Sequence, residues 1–122
     1  MSTILIVEDN EMNRDMLMRR LKRKGFDVVC SINGQEGVDM ALKLIPDCII
    51  MDMNMPVMDG FEATRFLKAN EAVSHIPIIA LTAYALDEDE NKCLAAGCDT
   101  YVAKPLDFKE LLASMAAFEI TA

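Results

Sequence analysis

The sequence has no tryptophan, a single histidine, five glycines and four prolines in 122 residues. So little glycine and proline excludes a collagen-like or low-complexity chain. His75 falls in the polar stretch 70–75, where an exposed loop residue is expected. With no second histidine, a zinc site has almost no support. Cys30, Cys48, Cys93 and Cys98 show neither a CxxC spacing nor a nearby histidine pair. They read as buried or half-buried free thiols in a reducing compartment, not as a disulfide framework. Positive charge is also scarce: 12 Lys and Arg against 20 Asp and Glu leave a net charge of −8. A nucleic-acid binder neutralises phosphates with a basic patch, so direct contact with DNA or RNA is not expected. Long apolar runs are missing as well. Ile4–Val7, Cys48–Met51 and Ile78–Leu81 are strand-length, far short of the roughly 20 residues of a membrane helix. The first residues carry no basic region and no signal-peptide core, so a cytoplasmic location is expected.

What is present is regular. The chain is 52% hydrophobic and 26% charged, which is ordinary for one globular domain. Short β-rich runs at Thr3–Val7, Asp27–Ser31, Asp47–Met51, Pro77–Leu81 and Thr100–Ala103 alternate with helix-length segments. Val38, Leu42 and Ile45 recur at helical spacing, as do Phe108, Leu111, Leu112 and Met115. The segment around Leu17 and Leu21 ends at Gly25, a natural residue for leaving a helix. Asn33, Asp59, Asp87 and Asp107 each precede a glutamate by three positions (Glu36, Glu62, Glu90 and Glu110), the spacing of a capping box. Leu86, Cys93 and Leu94 alone carry the apolar stripe of the fourth helix, which predicts a loosely held element. Five strands alternating with five helices predict an α/β domain with a doubly wound parallel sheet covered on both faces.

Ligands of such a sheet bind at the carboxyl ends of its strands. Strand one runs out into Glu8-Asp9, strand three into Asp52, strand four into Thr82, strand five into Lys104-Pro105. Strand two ends in Ser31-Ile32, without charge. Three carboxylates on one rim repel one another, by about 4 kcal/mol for a pair 4 Å apart at an effective dielectric near 20. A shared divalent cation removes that cost, and oxygen ligands without His or Cys favour Mg²⁺. Lys104 adds a point charge for a phosphate, and Thr82 a hydroxyl donor. A metal, a cation, a hydroxyl and a carboxylate nucleophile together are the parts of phosphoryl transfer.

In this order and spacing, four segments carry a family resemblance: Ile4-Leu5-Ile6-Val7-Glu8-Asp9-Asn10, Ile49 through Gly60, Ile78-Ile79-Ala80-Leu81-Thr82-Ala83, and Tyr101-Val102-Ala103-Lys104-Pro105. The chain resembles the receiver domain of two-component response regulators, the CheY-like fold, over residues 3–118. The resemblance implies a sheet order of 2-1-3-4-5 and a cis bond between Lys104 and Pro105. It implies Asp52 as phosphoacceptor. Glu8, Asp9, Asp52 and the backbone carbonyl of Asn54 are then the Mg²⁺ ligands. Lys104 is the phosphoryl-contacting lysine, Thr82 the switch hydroxyl and Tyr101 the aromatic switch. Asn54 and Tyr84 are implied as tuners of the phosphoryl lifetime. The acidic pair is Glu-Asp, where many members have Asp-Asp. The implied partners are a histidine kinase or phosphotransfer protein as donor and a downstream protein as target. The chain would act as a monomer or as a weak, phosphorylation-dependent dimer.

The expected role is that of a regulatory phosphoacceptor rather than an enzyme, although it assists its own phosphotransfer and hydrolysis. A single receiver domain over 1–122 with no output domain is expected, acting by protein–protein contact or as a relay. Met55 and Met58, beside the acceptor, are candidates for a partner-binding surface. Three alternatives compete. A metal-dependent phosphatase of the haloacid dehalogenase type would want a second Asp two positions past Asp52, where Asn54 stands. A nucleotide-binding module would want a glycine-rich loop after strand one, where Glu8-Asp9-Asn10-Glu11 repels anions. A pseudo-receiver would bind partners without phosphorylation, against which Asp52, Thr82 and Lys104 are all intact.

Overall fold

A computed structural model describes residues 2–55, 58–82 and 87–122, with the side chains of residues 87–90 outside the description. Five strands and five helices alternate: β1 (Thr3–Val7), α1 (Glu11–Arg23), β2 (Asp27–Ser31), α2 (Gly34–Leu44), β3 (Cys48–Asp52), α3 (Gly60–Ala69), β4 (Ile78–Thr82), α4 (Asp87–Ala96), β5 (Thr100–Ala103) and α5 (Phe108–Ala117). All neighbouring strands are parallel, in the order β2-β1-β3-β4-β5. The expected α/β architecture and strand order are observed. β3 and β4 each begin and end one residue later than their β-rich runs, so Asp52 and Thr82 are the last residues inside their strands. Pro77 has no N–H to give a ladder, and only its carbonyl pairs, with Ile49 N–H at 2.9 Å.

The two-residue period of the strands sorts their side chains into two cores. Leu5, Val7, Ile49, Met51, Ile78 and Ala80 pack under Val38 and Ala41 of α2, Ala63 and Leu67 of α3 and Cys93 of α4. Ile4, Ile6, Ile50, Ile79, Leu81 and Val102 face Leu17 and Leu21 of α1 and Leu111 and Met115 of α5. β3 and β4 are buried along their whole length. The edge strands β2 and β5 are only partly buried, as their mixed sequences Asp-Val-Val-Cys-Ser and Thr-Tyr-Val-Ala require. At roughly 25 cal/mol per Å² of apolar surface, these two layers are the main stabilising term.

The helix starts follow the predicted caps. Asn33 Oδ1 accepts from Glu36 N–H at 2.8 Å, Asp59 Oδ1 from Glu62 N–H at 2.9 Å, and Asp107 Oδ1 from Lys109 and Glu110 N–H at 3.0 and 3.4 Å. The Asp87–Glu90 cap lies outside the described side chains, as does Leu86. Among the described side chains of α4, Cys93 and Ala96 are buried, whereas Leu94 is half exposed. Leu94 therefore does not belong to the stripe expected of it, and the apolar footing of α4 is narrower still. Met55 is buried in the α2–α4 core and not on a surface, and the half-buried Met58 packs against that same core. The four cysteines are free; Cys48, Cys93 and Cys98 are buried and Cys30 half-buried. His75 is exposed. Among the described residues no helix is long and apolar enough to cross a membrane. The two ends of the chain meet: Ser2 Oγ donates to the carbonyl of Thr121 at 2.6 Å.

Three helices leave through the same motif, α1 and α4 on a glycine (Gly25 and Gly97) and α5 on a glutamate. After α1, Gly25 N–H bonds the Lys22 carbonyl and Phe26 N–H the Leu21 carbonyl, with Gly25 at φ +96°. After α5, Glu119 N–H bonds Ala116 and Ile120 N–H bonds Met115, with Glu119 at φ +61°. All three are Schellman exits, and only glycine holds that conformation without cost. Glu119→Gly is therefore expected to raise the unfolding free energy by about 1 kcal/mol in a urea titration, whereas Gly25→Ala lowers it by at least as much. Equal midpoints for Glu119→Gly and wild type would contradict this reading.

Candidate functional site

Parallel register carries four chain exits to one rim. Val7 lies opposite Met51, so Glu8 follows beside Asp52; Asp52 lies opposite Leu81, and Thr82 opposite Ala103. Alternation then divides the exits between the two faces. Asp52 continues the line of Cys48 and Ile50, Glu8 that of Ile4 and Ile6, and Lys104 that of Val102, all on the α1/α5 side. Thr82 continues the line of Ile78 and Ala80, and Tyr101 packs against that same α2–α4 core. Thr82 is buried and Tyr101 half-buried.

Asp52 is 1% exposed. Its Oδ1 accepts from Lys104 Nζ at 2.9 Å and from the N–H of Asn54 at 3.0 Å. Lys104 N–H is fixed in turn on the Thr82 carbonyl at 2.8 Å, and the Lys104-Pro105 bond is cis, as the resemblance implied. Glu8 is also 1% exposed. Its Oε1 accepts from Asn10 N–H at 3.2 Å. Its Oε2 is buried and has no hydrogen-bond partner among the described residues. Ligand oxygens of Glu8, Asp9 and Asp52 lie within 4.8 Å of one another, with Asp9 exposed at the rim. Asn54 is exposed, and Tyr84 lies outside the described residues.

Burial pushes the Glu8 carboxyl from the ordinary 4.5 up to about 7, and the neighbouring Asp52 adds to the rise, against the pull of Lys104 and of Asn10 N–H. Ionised, Glu8 meets Asp52 as a like charge; protonated, it can donate a hydrogen bond to Asp52. The set fits a hard divalent cation. Its donors are carboxylate oxygens gathered within 4.8 Å of one another, and it contains a buried oxygen that lacks a partner among the described residues.

Reading strand ends located Glu8, Asp9, Asp52, Thr82 and Lys104, but it missed two residues that shape the same loop. Asn10 caps α1, its Oδ1 accepting from Asn13 N–H at 2.9 Å. Arg14 Nη1 donates to the carbonyls of Glu8 at 2.9 Å and Asp9 at 3.3 Å. The signal for the cap was present as an Asn just before an apolar-periodic run. Arg14 carried no such signal, since an arginine in a helix usually faces water.

The model of the response regulator receiver domain family matches residues 4–116. The chain is 34% identical over 116 residues to the polar-differentiation response regulator DivK of Brucella anthropi, covering 95% of this chain and 94% of that protein. Its structure is similar to that of the chemotaxis protein CheY4 of Vibrio cholerae, at 31% identity and a TM-score of 0.90, covering 96% and 98% of the two chains. The receiver domain of the sensor histidine kinase PA1611 of Pseudomonas aeruginosa is 40% identical, with 95% of each chain covered and a TM-score of 0.88. That structure has a magnesium ion coordinated in its active-site cleft.

The raised Glu8 value has a measurable consequence. Folding without metal retains a proton on Glu8 up to pH about 7, whereas an unfolded glutamate releases it near 4.5. The stability linked to that proton is complete below 4.5 and is lost as the pH rises through 7. The melting midpoint of the metal-free chain should therefore fall between about pH 5 and 8, and Glu8→Gln should remove that part of the fall. Differential scanning calorimetry checks both. A wild-type slope identical to that of Glu8→Gln would show that Glu8 titrates normally.

Proposed function

The chain belongs to the response regulator receiver domain family and serves in two-component signalling; from that premise we propose that Asp52 is its phosphoacceptor. One observation carries the assignment. On the middle strand, a buried carboxylate is held at a single oxygen by a lysine and a backbone N–H, beside a second buried carboxylate with an oxygen that has no partner among the described residues. A structural ion pair would not need that second carboxylate, and a bare acidic cluster would not need the lysine.

Glu8, Asp9, Asp52 and the backbone carbonyl of Asn54 would hold Mg²⁺. When bound, the ion supplies charge neutralisation for an incoming phosphoryl group. The remaining work belongs to side chains of this chain. The phosphoryl phosphorus leaves a histidine nitrogen of a donor kinase or phosphotransfer protein, and a carboxylate oxygen of Asp52 forms the new O–P bond. Lys104, already on Asp52 Oδ1, stays within reach of the transferred oxygens and stabilises the charge that develops on them. The product carries close to two negative charges where there was one.

Thr82 ends the neighbouring strand and reports that change. Its hydroxyl turning toward the phosphoryl group vacates space on the α2–α4 side, where Tyr101 packs. Tyr101 filling that space selects a second arrangement of α4, β5 and α5, and with it the surface offered to a downstream protein. Asn54, exposed two residues beyond Asp52, sets the approach of water and hence the lifetime; Tyr84 is proposed for the same task. The unphosphorylated chain is proposed to be a monomer that at most dimerises weakly on phosphorylation. Its free thiols suit the reducing cytoplasm.

Incubation with acetyl phosphate and Mg²⁺, followed by intact mass spectrometry, should show the addition of one phosphoryl group. Asp52→Asn should show none, and chelation of the metal should prevent it in wild type. Lys104→Met should slow the addition roughly a hundredfold, the usual cost of losing one preorganised donor to developing negative charge. Unchanged labelling of Asp52→Asn would move the acceptor elsewhere.

A further inference from the structure

We propose that Arg14 is a positioning residue for the cation site, a role that rests on reading Glu8 and Asp9 as metal ligands. Arg14 lies one turn into α1 and is half-buried. Its Nη1 donates to the carbonyls of Glu8 and Asp9 at 2.9 and 3.3 Å. Its backbone N–H donates to the carbonyl of Asn10 at 2.9 Å. One residue thus engages three consecutive carbonyls, those of the segment whose side chains supply two of the three clustered carboxylates. Only the third of these bonds is required by the helix. The other two turn the peptide planes after Glu8 and Asp9 toward the guanidinium.

The remaining ties of this loop act on Glu8 and Asn10. Glu8 N–H is held by the Ser31 carbonyl at 3.1 Å, Glu8 Oε1 by Asn10 N–H, and Asn10 Oδ1 caps the helix. Asp9 lies between them with an exposed side chain. A carboxylate on a peptide unit that is free to rock must be ordered when the ion binds, and that ordering weakens binding. Arg14 removes the rocking in advance, as outer groups that orient metal ligands do elsewhere. Both bonds leave one nitrogen, Nη1, whose two hydrogens are fixed in the guanidinium plane; a lysine has the charge, but its ammonium rotates freely.

Charge by itself predicts the opposite sign. A guanidinium near a dication repels it, so deleting the charge would tighten binding. If Arg14 acts by positioning, deleting it loosens binding. Mn²⁺, read by the loss of its free electron paramagnetic resonance signal and competed with Mg²⁺, is a suitable probe of the full chain. Arg14→Met should bind Mn²⁺ roughly tenfold more weakly than wild type, with Arg14→Lys in between. Amide hydrogen exchange at residues 9 and 10 should quicken in Arg14→Met while β1 and the later turns of α1 keep their protection. Equal or tighter Mn²⁺ binding by folded Arg14→Met overturns the proposal. If Arg14→Met does not fold, Arg14→Lys decides, and wild-type affinity there overturns it. Wild type that does not bind Mn²⁺ would overturn the ligand reading itself, and Arg14's role with it.

Discussion

Two carboxylates buried side by side set the terms for everything around them. Glu8 and Asp52 are both withdrawn from water at the end of a sheet whose interior is hydrocarbon. Burying one ion costs several kcal/mol after relaxation, and a like charge alongside adds to that. One ammonium, Lys104, offsets one of the two. The other resolves its position by holding a proton near neutral pH or, on the proposed reading, by sharing a cation. Both resolutions leave the site responsive to what arrives. An unneutralised cluster lowers the stability of the fold, so whatever neutralises it is held with a corresponding free energy.

The same strands that create this crowding also separate its consequences. Glu8, Asp52 and Lys104 prolong the rows that face α1 and α5, whereas Thr82 ends a row that faces α2–α4 and Tyr101 packs against that same core. On the proposed reading, a chemical event on one side is reported on the other through β4, whose Leu81 and Thr82 point to opposite sides. The helix nearest to that report, α4, rests on little apolar surface among its described residues. Little is lost when it moves, which is what a two-state element requires.

Much of this was written in local pattern. Strands of continuous Ile, Leu and Val, helices at a 3.6 period and caps three residues ahead of a glutamate fixed the element order, because each is a short-range signal. Glu8, Asp9, Asp52, Thr82 and Lys104 could be read as one rim because a parallel sheet aligns its carboxyl ends. The features that escaped depend on what folding brings together. Met55 looks like a surface residue until the α2–α4 core takes it in. Leu94 has the right spacing for burial, yet α4 turns it outward. Arg14 has no motif, and its partners are carbonyls that no sequence displays. Glu119 occupies a position that calls for glycine, and only the backbone reveals the misfit.

The bond between Ser2 and Thr121 closes the polypeptide on itself. A host protein can therefore carry this unit within a surface loop without having its own loop anchors pried apart, since entry and departure fall at nearly the same point. The rim that carries Glu8, Asp52 and Lys104, built from the opposite ends of the strands, stays clear of that seam. Fusion to a neighbour and access to the rim are thus independent of each other by geometry.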